Sequence, residues 1–397
     1  MRLNRSWWLW ILVNLSRIVV ALIFLFSGWI KVIDPMGMVY KLKAYSDYLG
    51  WGYTDESLLL KLGVAGLAIA ECQLGLSLLL GIRRKSSTIF VFLFMLFVLG
   101  VTIFVYLKNP VPDCGCFGEV IKLTHGETLL KNVVLIVLSF IMLLYPRRMR
   151  RFISERNQWI ISIYSFCFLT GFSMYSYYYS PVLTFTDYKL GVDVVKEYEG
   201  NGDAGDELRE SIVTFSAINE KGEDFANKIF AKGVVNFLLT IPNVLTADDS
   251  SADRINALQD FAVDNGYGFY ALISNDLLLA QDWRDRTGAS YPIYQCDEVV
   301  LKSISRSNPG LMLLDDGVIT GKWGCNELPE SVEELPLNKP IKSIRDEGAW
   351  GKFASLFMIY IIPLLFVMII DALWIGRKYY IHNRYMRRIM NSHLLRD

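Results

Sequence analysis

The stretch Ser87–Leu107 reads STIFVFLFMLFVLGVTIFVYL and contains no charged side chain. A helix that crosses the hydrocarbon core of a bilayer needs about 20 apolar residues, because its backbone amides must be paired within the segment. Five other stretches are predominantly apolar and of similar length: Ile18–Ile33, which the run Trp7–Leu15 extends backwards, Leu58–Leu80, Leu129–Tyr145, Trp159–Tyr179 and Phe353–Ile375. The sequence therefore predicts a polytopic α-helical membrane protein with six transmembrane helices.

The charges are unevenly distributed along the chain. Of 397 residues, 53% are hydrophobic, and 40 Lys and Arg balance 40 Asp and Glu. Yet Leu183–Trp350 holds 29 acidic and 15 basic residues, so the remaining segments are basic. This composition excludes a disordered chain and a small disulfide scaffold, and it argues against nucleic acid as a partner. It predicts a membrane protein with an acidic soluble insert.

Positive charge in the short flanks predicts the orientation. Basic residues cluster beside one set of helix ends: Arg2, Arg5, Arg17, Arg83, Arg84, Lys85, Arg147, Arg148, Arg150, Arg151, Arg156, Arg377, Lys378, Arg384, Arg387 and Arg388. Both termini are then cytoplasmic, and Asp34–Ser57, Lys108–Thr128 and the insert face outward. We expect a bacterial inner (cytoplasmic) membrane protein, embedded in the lipid bilayer, with residues 183–350 in the periplasm.

The domain boundaries follow from this pattern. Residues 1–152 form a four-helix membrane domain, because short connections favour antiparallel packing of sequential helices. Residues 153–182 carry the fifth transmembrane helix, and residues 183–350 an acidic connector with a soluble domain. Residues 351–397 carry the sixth transmembrane helix and a basic cytoplasmic tail.

The loop between the third and fourth helices carries a closely spaced cysteine pair. It reads NPVPDCGCFG over Asn109–Gly118, so that Cys114 and Cys116 flank a glycine that permits a tight turn. A disulfide in so small a ring contributes little to stability. In one reading the pair cycles between dithiol and disulfide, with a membrane quinone as the natural acceptor. In the other it is a static clip or holds a metal jointly with another subunit. No metal site is predicted within the chain, because two thiolates and His125 fall short of the four ligands of structural zinc.

Three ionisable residues in the bundle stand out. Glu71 lies near the middle of the second helix, where a carboxylate usually faces the bundle interior. It is a candidate proton relay or polar contact near a quinone pocket, or else a neutral acid bonded to a neighbouring helix. Lys31 and Lys131 lie near the outer helix ends, where we expect them to reach the headgroups.

The first helix and its exit, FLFSGWIK over Phe24–Lys31 followed by Asp34-Pro35, resembles the opening of the DoxX family. The CGCFG loop, with Lys131-Asn132 entering the fourth helix, is similar to the MauE family of methylamine-utilisation membrane proteins. The resemblance covers about residues 15–150. It implies a fold related to the bundles of vitamin K epoxide reductase-like and DsbB-like thiol oxidases. DoxX-like proteins are associated with thiosulfate:quinone oxidoreduction, and MauE with disulfide-dependent maturation of an exported enzyme. Lys31 and Asn132 become candidate binding residues by this resemblance.

The insert alternates strands and helices. After a connector with a short helix at Val192–Glu199, it predicts strands at Ile212–Ile218, Gly233–Ile241, Phe269–Ser274 and Pro292–Tyr294, helices at Ser251–Asn265, Leu277–Thr287 and Asp297–Ser305, and a hairpin of Leu311–Leu314 and Val318–Trp323. This order predicts an α/β layer structure with a mixed sheet.

The insert resembles the thioredoxin-like fold of membrane-tethered cytochrome-maturation proteins. Pro309 stands where that fold carries its cis-proline, but the CxxC motif expected after the first core strand is replaced by Thr240–Val244. Cys296 and Cys325 are the only cysteines of the insert, and they either pair, stay separate or present one thiol to the CxC loop. Pro309 and Cys296 are candidate partner-binding residues.

Two functions follow from these features. The first is a membrane thiol–disulfide redox protein, a possible thiol:quinone-type oxidoreductase, with Cys114 and Cys116 as the reactive pair. Its partner is a periplasmic thiol or disulfide client. The alternative is a non-catalytic anchor whose periplasmic domain binds another envelope protein. A transporter is a weaker third idea, because intramembrane charges are sparse.

Overall fold

The computed structural model describes residues 5–110, 115, 117–121, 123–183, 185–198, 212, 215–274, 276–337 and 349–394. The described helices are α1 (Arg5–Ile33), α2 (Pro35–Tyr48), α3 (Leu58–Leu80), α4 (Arg84–Lys108), α5 (His125–Leu144), α6 (Gln158–Tyr178), α7 (Val194–Tyr198), α8 (Ala226–Ile229), α9 (Ala252–Asp264), α10 (Ala280–Thr287), α11 (Glu298–Ile304) and α12 (Ala349–Leu394). The strands are β1 (Val235–Ile241), β2 (Gly268–Ile273), β3 (Ile293–Gln295), β4 (Gly310–Asp315) and β5 (Val318–Gly324).

Six of the described helices are long and apolar enough to cross a bilayer. The spans are Trp7–Ile33, Leu58–Leu80, Arg84–Lys108, His125–Leu144, Gln158–Tyr178 and Gly351–Arg377. The prediction of six segments able to span a membrane is therefore confirmed within the described residues. The chain is a polytopic helical membrane protein with a mixed sheet in its C-terminal half.

The chain forms two compact units. The first comprises the described residues of Met1–Val32, Met38–Ser173 and Ala354–Asp397, and the second those of Ile33–Gly37 and Met174–Phe353.

In the first unit, α1, α3, α4 and α5 share one apolar core. Its buried side chains are Val13, Val20, Ala21, Phe24, Leu78, Val91, Met95, Leu135, Met142 and Met149. A second cluster joins α3 to α6 and α12 through Leu76, Leu80, Ile161, Tyr360 and Leu364, among others. The ends of the helices carry recognisable stop and start signals. Gly81 follows α3 in a left-handed conformation, and Thr124 with Glu127 forms a capping box at the start of α5.

The helix α2 was not predicted. It occupies part of the segment Asp34–Ser57, which was expected only to face outward. Pro35 occupies its first position, and Asp34 caps it, because Asp34 Oδ1 accepts a hydrogen bond of 3.0 Å from Gly37 N.

The second unit is built on a five-stranded mixed sheet. The strand order is β3-β2-β1-β4-β5; β1 pairs in parallel with β2 and antiparallel with β4, and β4 and β5 form a hairpin. Both faces are covered: Leu238 belongs to one core cluster, whereas its neighbours Phe237 and Leu239 belong to the other. The alternation follows from the period of two in a strand.

Most predicted elements of the insert lie where expected, with one exception. The strand predicted at Ile212–Ile218 is wrong for its described residues, of which Ile218 alone makes isolated bridges, to Asp224 and Gln295. Ile218 exchanges backbone hydrogen bonds with Gln295 of β3, so the segment reaches the edge of the sheet, but among its described residues this pairing does not continue into a ladder.

Candidate functional site

The predicted reactive residues Cys114 and Cys116 lie outside the described residues. The glycine between them, Gly115, is described and has a φ of +68°, in the left-handed region where glycine is favoured. Gly118 N donates a hydrogen bond of 3.1 Å to Gly115 O, which closes a tight turn. The central residue of the CxC motif therefore has a backbone conformation that glycine adopts readily, and a tight turn follows it.

The loop is anchored to the bundle by its aromatic residue. Phe117 is buried and packs against Phe26 of α1 with ring centroids 5.6 Å apart. The ammonium of Lys131 lies 4.3 Å from the centroid of the Phe117 ring. Lys131, which we expect to reach the headgroups, makes a cation–π contact with this ring.

A second lysine, from α2, lies against the turn. Lys41 Nζ donates a hydrogen bond of 3.1 Å to Gly118 O. A Cβ atom added at Gly115 would lie 2.6 Å from Lys41 Cδ. The Lys41 side chain therefore runs directly alongside the residue that is bonded to both cysteines. Sequence reasoning missed it, because α2 was not predicted.

Lys31 and Glu71 form a buried ion pair between α1 and α3. Lys31 Nζ lies 2.7 Å from Glu71 Oε2, and the two side chains are 3% and 9% exposed. Ser27 Oγ accepts a hydrogen bond of 2.6 Å from Lys31 Nζ and donates one of 2.8 Å to Glu71 Oε2. The prediction that Lys31 reaches the headgroups is wrong, because a carboxylate inside the bundle offers a partner that removes the need for water. Glu71 faces the bundle interior as expected, bonded to a neighbouring helix.

Asn132 lies on α5 and is also buried. Its amide nitrogen donates a hydrogen bond of 2.7 Å to Thr102 Oγ1 of α4. Ser27 and Thr102 were both missed by sequence reasoning. Ser27 could have been found, because it stands four residues before Lys31 on the same helix face.

A cavity of about 440 Å³ brings these residues together within the first unit. Its polar lining includes Ser27, Lys31, Glu71, Thr102, Lys131 and Asn132. The rest is mainly apolar, from α1 to α5, and Phe117 of the CxC loop lies in the wall. An apolar cavity with a few convergent polar groups is typical of a small-molecule binding site.

The remaining signature residues of the first helix have structural roles. Gly28 allows α3 to approach α1 closely, because a Cβ at this position would lie 2.5 Å from Cys72 Sγ and 2.8 Å from Cys72 N. Asp34, within the second unit, accepts hydrogen bonds from Arg306 Nη2 at 2.9 Å and Nε at 3.2 Å. Both side chains of this ion pair are buried.

The two candidate residues of the soluble domain lie in different surroundings. The peptide bond Asn308–Pro309 is cis, as the resemblance implied, and Pro309 directly precedes β4. Cys296 is 4% exposed in the core cluster, and burial raises the pKa of its thiol to about 12. This position does not support a partner-binding role for Cys296.

Cys325 is also a free, buried thiol, and burial raises its pKa. In the structure it does not pair with Cys296. Near it, Asn308 Nδ2 donates hydrogen bonds to Asn243 O at 2.8 Å and Thr246 Oγ1 at 3.2 Å. The segment after β1, where a CxxC motif was absent, is therefore tied to the residue before Pro309.

These features define an integral membrane protein whose helical bundle contains an apolar cavity beside a CxC loop. Residues 9–145, which span α1 to α5 and that loop, match the family model described as Methylamine utilisation protein MauE. No curated protein and no solved structure matches the chain.

Proposed function

We propose that the chain is a membrane thiol–disulfide redox protein. In this proposal Cys114 and Cys116 exchange electrons between a thiol client outside the membrane and a quinone bound in the bundle cavity. The observation that carries it is the cavity itself, because its wall includes both Phe117 of the CxC loop and the buried Lys31–Glu71 pair. An electron acceptor in this space would lie beside the loop.

The described part of the loop suits a reactive dithiol. Gly115 holds a left-handed turn, and the Lys41 side chain lies against it. A nearby cation favours the thiolate, which is the nucleophile in thiol–disulfide exchange. Asp113 and Glu119, which lie close to the cysteines in the sequence, disfavour a thiolate by their negative charge, and Lys41 would offset this effect.

The lining of the cavity suits a quinone. The ring and isoprenoid tail of a quinone are apolar, whereas its two carbonyl oxygens accept hydrogen bonds and become hydroxyls on reduction. Lys31, Asn132 and Ser27 are the polar groups that could contact such oxygens from the bundle. Glu71, bonded to Lys31 and Ser27, would position these donors and exchange protons with them.

The electrons and protons of the proposed cycle balance. A client dithiol attacks the Cys114–Cys116 disulfide, forms a mixed disulfide, and leaves as a disulfide, so that the pair gains two electrons and two protons. The reduced pair then transfers two electrons and two protons to the quinone, which becomes a quinol. The Cys114–Cys116 disulfide is restored.

The second unit would recruit the client. Its sheet order, with a parallel β1–β2 pair and an antiparallel β4–β5 hairpin preceded by a cis-proline, supports a thioredoxin-like assignment. Because Thr240–Val244 contains no cysteine, this domain would bind or position the client and leave the chemistry to the CxC pair.

The topology completes the proposal. The positive flanks support cytoplasmic termini in a bacterial inner membrane, with residues 183–350 in the periplasm. The family matched by residues 9–145 is named for methylamine utilisation, and a role in the maturation of an exported enzyme is the corresponding proposal for this chain.

Thiol trapping in cells tests the redox step. The fraction of Cys114 and Cys116 in the dithiol form should rise when respiratory quinone is reduced or depleted. The double variant Cys114→Ser/Cys116→Ser should lose client oxidation, whereas Cys167→Ser, at an exposed cysteine of α6, should not. A Cys116→Ser or Cys114→Ser single variant should accumulate a mixed disulfide with the client. A double serine variant that oxidises its client normally would disprove the proposal.

The cavity has its own test. Gly63 lines it, and a Cβ at this position meets no atom within 4 Å, so the side chain of Gly63→Leu would start from an unobstructed Cβ and occupy part of the space. Gly66→Leu is the matched control, because Gly66 lies one turn along α3, has equal room and does not line the cavity. Quinone-dependent reoxidation of the dithiol should slow in Gly63→Leu and stay normal in Gly66→Leu. Equal rates in both variants would contradict a quinone in this cavity.

One observation favours the alternative, a non-catalytic anchor. Cys296 and Cys325, the two thiols of the second unit, are both buried, and the segment after β1 is tied down by Asn308. Such a domain could serve purely for partner binding. On this alternative the double serine variant would still capture its envelope partner and support its function.

A further inference from the structure

The turns that join α3 to α4 and α5 to α6 line an open cationic cavity. It has a volume of about 420 Å³ and is lined by Arg83, Arg84, Lys85, Ser86, Pro146, Arg147 and Arg151. Neither 81–88 nor 145–153 contains an Asp or Glu. Glu155 pairs with Arg151 at 2.5 Å, and this pair is exposed. The lining therefore keeps a strong excess of positive charge.

The arrangement of these cations is fixed by the backbone. Arg83 has a φ of +38°, in the left-handed region that disfavours residues with a side chain, and its N–H donates a hydrogen bond of 3.0 Å to Gln158 Oε1. Arg84 Nη1 donates to Arg147 O at 3.0 Å and to Met149 O at 2.6 Å, which joins the two turns. Backbone conformation and hydrogen bonds therefore hold the residues that line this cavity in place at one end of the helical bundle.

The start of α4 adds a second source of positive potential. Arg84, Lys85 and Ser86 form its first turn, and the N–H groups of a first turn have no partner within the helix. Such amides bind anionic oxygens, and arginine side chains bind phosphate through two parallel hydrogen bonds. The ligand chemistry that fits this cavity is a phosphate group.

Apolar side chains continue from the cavity along the same two helices. Ile89 and Phe90 of α4 are 47% and 60% exposed, and Leu144 and Tyr145 at the end of α5 are 55% and 39% exposed. Both helices are among the six membrane spans. A ligand with a phosphate in the cavity would therefore place anything attached to it along an apolar surface.

We infer that this cavity is a binding site for the phosphate headgroup of an anionic phospholipid, whose acyl chains lie along α4 and α5. A free phosphate would use the cations but gain nothing from the apolar flank, which is why the lipid is the better fit. The inference is independent of the redox proposal, since it uses none of the same residues.

The test is lipid-dependent thermal stability of the purified full chain in nanodiscs. Phosphatidylglycerol should raise the melting temperature relative to phosphatidylcholine with the same acyl chains. The double variant Arg83→Gln/Arg147→Gln loses two charge-assisted contacts. The mole fraction of phosphatidylglycerol that gives half of the rise in melting temperature should therefore increase by about tenfold or more. The matched control is Arg156→Gln/Arg377→Gln, which removes the same charge from exposed arginines outside the cavity. It should bind as the unmodified chain does.

Two outcomes would overturn the inference. Equal weakening in both double variants would indicate unspecific attraction to the membrane surface, and an equal stabilisation by inorganic phosphate would make the lipid unnecessary. Arg83→Gly keeps the test valid if the double variant folds poorly. Glycine tolerates the left-handed conformation, so this variant should fold at least as well and still bind phosphatidylglycerol more weakly.

Discussion

The ammonium of Lys31 lies 2.7 Å from the carboxylate of Glu71, forty residues further along the chain, and both side chains are buried. Ser27 bridges them, accepting from Lys31 and donating to Glu71. An unpaired charge inside a membrane bundle is strongly unfavourable, so each residue makes the other tolerable. The pair also supplies much of the polar wall of the bundle cavity.

Removal of one partner should be far more harmful than removal of both. Lys31→Met leaves Glu71 buried without its cation and should lower the free energy of unfolding by about 3–5 kcal/mol. Lys31→Met/Glu71→Leu should regain most of this loss, because no charge is then left in the bundle. Unfolding by sodium dodecyl sulfate in mixed micelles measures the difference.

An exposed ion pair in the same unit provides the control. Lys61 and Glu56 lie 2.6 Å apart with side chains 28% and 41% exposed. Lys61→Met should therefore change the free energy of unfolding by no more than about 1 kcal/mol. The single variant Glu71→Leu completes the comparison. If the loss in Lys31→Met/Glu71→Leu equalled the sum of the losses in the two single variants, the two residues would not be coupled.

The close approach of α1 and α3 should depend on Gly28. Its Cβ would meet the backbone nitrogen of Cys72 at 2.8 Å, a contact that cannot be relieved by a side-chain rotation alone. Gly28→Ala should lower the free energy of unfolding by about 1–3 kcal/mol through overpacking. Gly100→Ala in α4 meets no atom within 4 Å and should stabilise the helix by up to about 1 kcal/mol. In the same denaturation assay, the free energy of unfolding should fall in Gly28→Ala and rise in Gly100→Ala. A change of the same sign in both variants would contradict the packing argument.

The membrane helices and most of the soluble elements could be predicted from the sequence, because apolar runs and alternation are local signals. The helix α2 could not, since PMGMVYKLKAYSDY mixes polar and apolar residues without a clear stripe. Likewise, nothing near Lys31 in the sequence indicates that its partner is Glu71. The position of Lys31 near the outer end of its helix was the basis for predicting that it reaches the headgroups.

Some residues of the candidate site were predicted from the sequence, but their arrangement around a cavity was not. Glu71 was selected as a carboxylate within an apolar helix and Asn132 by the family resemblance, and both line the cavity. The cavity itself, and the contact of Lys41 with Gly115, depend on how α2 packs against the loop, which no local pattern encodes. The strand predicted at Ile212–Ile218 is wrong because, among its described residues, Ile218 alone pairs with a strand of the sheet, and a local pattern does not distinguish a strand from such a single bridge.

The turn at Gly115 should control the redox equilibrium of its two neighbours. An alanine at a φ of +68° is disfavoured by about 1–2 kcal/mol, and its Cβ would also displace Lys41. If the disulfide requires this turn, Gly115→Ala should shift the thiol–disulfide equilibrium toward the dithiol by roughly tenfold or more. Trapping in glutathione buffers of defined ratio measures it.

Two further variants separate conformation from bulk. Gly115→Asn should shift the equilibrium less, because asparagine adopts the left-handed region more readily than alanine. Gly126→Ala, in α5, where a Cβ meets no atom within 4 Å, should leave the equilibrium unchanged. A shift in the Gly126 variant as large as that of Gly115→Ala would show that the turn has no special role.

Cys296 should behave as a core residue and not as a reactive thiol. Burial raises the pKa of this thiol from 9.0 to about 12, so it stays protonated in the folded domain at neutral pH, and alkylation by iodoacetamide should be slow until the chain unfolds. Because the folded pKa is the higher one, the stability that the protonated thiol provides is complete below about pH 9 and is lost as the pH rises toward about 12. Tyr291, whose pKa burial raises to about 12, contributes with the same sign, so Cys296→Ala is needed to isolate the cysteine. Between about pH 9 and about pH 12, the free energy of unfolding should therefore fall less in Cys296→Ala than in the unmodified chain. Native alkylation as fast as in the unfolded chain would place Cys296 at an accessible surface and restore its candidacy as a partner-binding residue.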